Sequence, residues 1–147
     1  MGIFDKVLGK ESGVIKLNKP EAFAAVAVAT IASDGNISQE ELQRTVINLS
    51  TIQFFRKYDL KDLSNTLNKV AGLLSRRGPA PLMEAVKITL SHEHLETAFF
   101  VAADLVLADG VVEAAEKKYL EELQNTLQID EATALKIVDV ALIKNRA

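Results

Sequence analysis

Apolar positions along the chain recur at steps of three and four residues, and short polar breaks punctuate them. No stretch alternates apolar with polar over the length of a strand. The punctuation predicts where each helix begins and ends. Pro20 stands where a first helical residue belongs, and the apolar run 22–32 carries that helix to about Ser33, where Asp34-Gly35 breaks it. Ser38 with Glu41 makes an S-x-x-E capping box, which opens a second helix reaching about Arg56. Asp59 and Asp62 start a third, along which Leu60, Leu63, Leu67, Val70 and Leu74 form an apolar stripe. Arg76-Arg77-Gly78-Pro79 ends it, with cations at a helix C-terminus followed by a terminator. A short helix is predicted over 81–90. Ser91 caps the next, which runs to Ala108 and is broken by Asp109-Gly110. A helix over 113–127 follows, and Asp130 caps a last one to about Lys144. A further turn is expected at 3–8.

The fold class is therefore all-α: a compact bundle of about seven helices with short connections, filling one domain over 1–147. Its two halves repeat at an offset of 75 positions. Val26-Ala27 matches Val101-Ala102, Ile31 matches Val106, Asp34-Gly35 matches Asp109-Gly110, Ile37 matches Val112 and Glu41 matches Glu116. The repeats span about 20–57 and 92–128, and two pseudo-symmetric halves are expected.

Composition narrows the function classes. A formal net charge of −3, with both signs mixed along the chain, argues against a nucleic-acid partner. The chain has no cysteine, which excludes disulfides and thiolate metal sites and fits a cytoplasmic protein. The apolar runs 22–32 and 98–108 are too short to span a bilayer, so no stable membrane insertion is expected. Lys6 stands where N-myristoylation needs Ser or Thr, so no lipid anchor is indicated.

The two breaks carry the candidate chemistry. In a calcium-binding EF-hand loop, ligands fall at positions 1, 3, 5, 7, 9 and 12, with Gly at 6. With Gly35 at the sixth position, Asp34, Asn36, Ser38 and Glu41 fill the fifth, seventh, ninth and twelfth. Thr30 and Ala32 leave the first half without carboxylates. The second break places Asp109, Glu113 and Glu116 likewise, after Leu105 and Leu107. Neither half-loop can surround a divalent ion alone, so a site would have to draw on both breaks. Asp104, inside an apolar helix, is the candidate extra ligand. Oxygen-only ligands favour calcium, magnesium or manganese. The plainer account of each break is a helix stop, a cap and a Glu complementing the helix dipole. His92 and Glu96 share a helix face at i and i+4, but two ligands make a weak site, and a solvated first turn accounts for them. No phosphate loop and no activated nucleophile is present, so no enzyme activity is expected.

Phe4-Asp5-Lys6-Val7, the apolar helix ending in Ser33-Asp34-Gly35 with Glu40-Glu41 after it, and the second apolar helix ending in Ala108-Asp109-Gly110 with Glu116 after it resemble the TerB tellurite-resistance family. The resemblance covers essentially the whole chain. It departs at Val111-Val112 and Ala114-Ala115, where more acids would be expected. It implies a seven-helix bundle, a cytoplasmic setting in tellurite and stress resistance, and divalent-metal binding through Asp34, Glu41, Asp109 and Glu116, with no catalysis. The combined expectation is a non-enzymatic binding module with metal ligands Asp34, Glu41, Asp104, Asp109 and Glu116. The alternative is an adaptor for a protein partner, in which the acidic turns are only structural.

Overall fold

The structure, a computed structural model, describes residues 13–33 and 35–146. The turn expected at 3–8, the Phe4-Asp5-Lys6-Val7 motif and Asp34 lie outside the described residues. Among the described residues there are seven α-helices and no strand. They are α1 (Lys19–Ile31), α2 (Gln39–Ser50), α3 (Leu60–Arg77), α4 (Pro79–Thr89), α5 (His92–Val106), α6 (Ala114–Thr126) and α7 (Glu131–Asn145).

Local signals set most helix starts. Ser38 and Glu41 form the expected box: Glu41 N–H donates to Ser38 Oγ at 3.1 Å, and Ser38 N–H donates to Glu41 Oε1 at 3.0 Å. Asp59 with Asp62 does the same for α3. Asn18, two residues before Pro20, caps α1 by the same exchange with Glu21. Gly78 ends α3 and begins α4, with φ of +82° that its missing Cβ permits, and Pro79 takes the first position of α4.

Two expectations are corrected. The second helix stops at Ser50 rather than near 56. The Ser50 hydroxyl donates to Ile47 O at 2.6 Å and the Thr51 hydroxyl to Asn48 O at 2.7 Å, pulling the chain off the helical path. A single 3₁₀ turn, Gln53–Phe55, then buries Phe55. On α3, Leu73 is buried, whereas Leu60 stays exposed, so the stripe's first member faces water.

Helix α1 is the centre of the bundle. Residues 22–28 are all buried, and a helix apolar all round must be covered on every side. It packs on α2, α3, α4 and α5, and four of its seven core positions are alanine, which lets those neighbours approach closely. Helix α5 packs against α1 on one side and α7 on the other. Phe23 and Phe99 are the largest side chains sealed in the core. Helices α1 and α5 end at residues 31 and 106, and α2 and α6 begin at 39 and 114, so both helix boundaries recur 75 positions apart.

Candidate functional site

The two turns share a backbone hydrogen bond. After α1, Gly35 N–H donates to Ala32 O at 3.0 Å; after α5, Gly110 N–H donates to Leu107 O at 3.0 Å. Both glycines hold positive φ, +89° and +76°, which a side chain would strain. Asp109 Oδ1 accepts from Val111 N–H at 3.0 Å, an Asx turn that fixes the second loop. Glu116 Oε1 accepts from Glu113 N–H at 2.9 Å, as Glu41 Oε1 does from Ser38 N–H. Each glutamate thus caps its own helix and keeps its second oxygen for another partner.

Packing brings the two turns to one cavity of about 640 Å³. Glu40 and Glu41 line it from the first turn; Asp109, Glu113 and Glu116 line it from the second, with Glu122 further along α6. Arg44 and Lys118 are the two cations on its wall. Six carboxylates therefore face two bases, and among the described residues none of the six is ion-paired. The wall also pairs across the offset of 75: Thr30 with Leu105, Ile31 with Val106, Ser33 with Ala108, Glu41 with Glu116, and Arg44 with Tyr119. Among the described residues, no three of these carboxylates offer oxygens within 4.8 Å of one another. The acids thus share a cavity without closing to direct-ligand distance.

Sequence reasoning missed Glu40, Glu122, Arg44 and Tyr119 as cavity residues. Helical spacing from the capping glutamates would have placed Arg44 and Tyr119 on the face of Glu41 and Glu116, three residues on. The Tyr119 hydroxyl lies 3.1 Å from Thr30 Oγ1 and ties α6 to the end of α1. Burial pushes this phenol above its ordinary value of 10.0, against a smaller opposite effect of the Thr30 hydrogen bond.

Asp104 does not join the cavity. It is buried, not on the solvent edge of its helix, and its carboxylate is already occupied. Lys144 Nζ donates to Oδ1 at 2.9 Å and to Oδ2 at 3.0 Å; Asn145 Nδ2 donates to Oδ1 at 2.8 Å and Asn48 Nδ2 to Oδ2 at 2.7 Å. Four contacts fill the lone pairs that a metal would need. The expected extra ligand is instead a polar joint between α2, α5 and α7.

Residues 20–137 match the family model described as tellurite resistance protein TerB. That span includes both Asp-Gly turns and every residue of the cavity. No curated protein and no solved structure matches the chain.

Proposed function

The chain belongs to the TerB tellurite-resistance family, and from that premise we propose that it is a non-catalytic module whose cavity between the two acidic turns captures a hard divalent cation. The observation that carries this reading is the charge around the cavity: six carboxylates against two bases. Such a wall repels an anion, tellurite included, and attracts a cation. The duplicated helix pairs supply its two sides. Because the described carboxylates stand apart, the ion keeps much of its water and is held partly through it. Calcium suits this best, since it accepts six to eight oxygens in loose geometry, water among them. Glu41, Asp109 and Glu116 lead the proposed ligand set, and Asp34 joins it on the sequence pattern alone. Asp104 serves as an anchor and not as a ligand. A half-furnished site of this kind binds at roughly 10⁻⁵ to 10⁻³ M.

Among the described residues the wall offers no hydroxyl or thiol paired with a general base. The Thr30 hydroxyl donates to Val26 O and the Ser33 hydroxyl to Thr30 O, at 2.7 and 2.8 Å. Tyr119 is held protonated, and no histidine lines the cavity. Without cysteine, the chain has no thiol with which to reduce an oxyanion. These features support a binding role, and the family match is what points to a tellurite or stress response.

A second reading has its own observation. A cavity of about 640 Å³ whose acids stay apart also accommodates a lysine or arginine side chain of a protein partner. Calorimetric titration of metal-stripped protein distinguishes the two. Calcium, magnesium or manganese should release or absorb heat with wild-type protein and not with Glu41→Gln/Glu116→Gln. Glutamine preserves the capping-box acceptor while removing the charge, so the helices stay capped. Heat unchanged by the double substitution, or absent from wild type at millimolar metal, rejects the cation reading and leaves the adaptor.

A further inference from the structure

We propose that His92, Glu96 and Asp130 form a second, separate metal site, specific for zinc-class divalent ions, that clips the start of α5 to the start of α7. His92 is the first residue of α5, and Glu96 lies one turn along on the same face. His92 Nε2 and Glu96 Oε2 are 3.5 Å apart. Asp130, the N-cap of α7, brings a third ligand atom, and all three lie within 4.8 Å of one another. Zinc held tetrahedrally at about 2.0–2.1 Å needs ligand atoms roughly 3.4 Å apart. The His-Glu pair already has that spacing, and the exposed imidazole is free to swing toward the aspartate.

The third ligand is the best positioned of the three. Buried Leu127 and Ile129 pin the loop that leads into Asp130. Gln124 closes the same loop, accepting Ile129 N–H at its carbonyl and donating from its side chain to Ile129 O. Thr133 then fixes the carboxylate: its N–H donates to Asp130 Oδ2 at 3.1 Å and its hydroxyl to Oδ1 at 2.7 Å. Each oxygen retains a lone pair for a metal, and such outer hydrogen bonds are what orient a ligating carboxylate.

Neutral imidazole with two carboxylates sums to −2, which a divalent ion balances and a single protonated histidine does not. Glu93 and Glu131, in the first turns of α5 and α7, add negative charge that offsets the positive helix N-termini. One nitrogen and two oxygens, with positions left for water, favour zinc, cobalt or nickel over calcium, which wants more oxygens.

The chain has two histidines, so the test reads cleanly. His94, two residues on, points elsewhere: its ring meets Phe54 edge-on at 5.1 Å, and its Nδ1 is buried. Metal-stripped protein is titrated with Co²⁺ while the imidazole proton signals are followed by NMR, and its melting temperature is measured with Zn²⁺. We expect the His92 signals to broaden and shift well before those of His94. We also expect Zn²⁺ to raise the melting temperature of wild type by several degrees. His92→Ala and Glu96→Gln should each abolish that rise while keeping wild-type circular dichroism, since neither removes the Asp130 cap. A rise that persists undiminished in both variants, broadening confined to His94, or no response to 1 mM of either ion would overturn the site. A rise that persists in both variants would place the ion elsewhere, as in the acidic cavity, which the calcium titration of Glu41→Gln/Glu116→Gln tests separately.

Discussion

Replacing Lys144 with methionine tests the joint that holds α7 to the rest of the bundle. The substitution keeps the length of the side chain and removes only its ammonium. Deleting one partner of a fully buried ion pair costs about 3–5 kcal/mol. Here the two ends differ: the Asp104 side chain is 8% exposed and that of Lys144 is 58% exposed. Water already solvates the lysine end, and Asp104 retains the amide donors of Asn48 and Asn145. The expected cost is therefore about 2 kcal/mol, which in a domain of this size lowers the melting temperature by roughly 4–8 °C. Urea unfolding at neutral pH gives the free energy directly. In an Asp104→Asn background the charge is gone, and each asparagine can turn its amide to suit the new partner. There, Lys144→Met should cost less than about 0.5 kcal/mol, leaving a coupling energy above 1 kcal/mol. Equal costs in the two backgrounds would refute the joint and reduce Lys144 to a surface lysine.

Two further outcomes follow from single groups. Burial raises the phenol of Tyr119 above 10.0, so the unfolded chain loses this proton first as pH climbs. Its contribution to stability is complete below pH 10 and is lost as pH rises through the folded-state value; urea unfolding across that range should show the decline in wild type and a flatter profile in Tyr119→Phe. An identical decline in both proteins would disprove the assignment. Gly110→Ala should cost about 1–2 kcal/mol for backbone strain alone, because φ is +76° while the nearest atom to an added Cβ, Asn145 O, stands at an ordinary 3.5 Å. Gly110→Asn, which tolerates that conformation better, should cost measurably less by thermal unfolding, and a reversed order would contradict the strain argument.

What the sequence reveals here depends on how local each cause is. The capping boxes at Ser38 and Asp59, and the two Asp-Gly breaks, depend on neighbours three or four residues away, and they appear where the pattern places them. The end of α2 is less legible, because back-bonding hydroxyls at Ser50 and Thr51 compete with continued helix on nearly equal terms. Asp104 is conspicuous as an acid in an apolar helix, but its partners lie 40, 41 and 56 residues away, so its role had to await the packing. The same holds for the cavity. Two acidic turns 75 residues apart imply a shared site only if α1 and α5 cross so that their C-terminal ends meet, and helical periodicity does not set a crossing angle. His92 and Glu96 form a visible pair; Asp130 completes the group through a loop whose course is fixed by the burial of Leu127 and Ile129.

In the proposed function both turns serve one cation. This is tested most directly by following backbone amides of metal-stripped protein by NMR during a calcium titration. Amides of 35–41 and 109–116 should shift together along one saturation curve, with a single dissociation constant of roughly 10⁻⁵ to 10⁻³ M. Shifts at one turn only, two separate curves, or no response up to 10 mM calcium would contradict it.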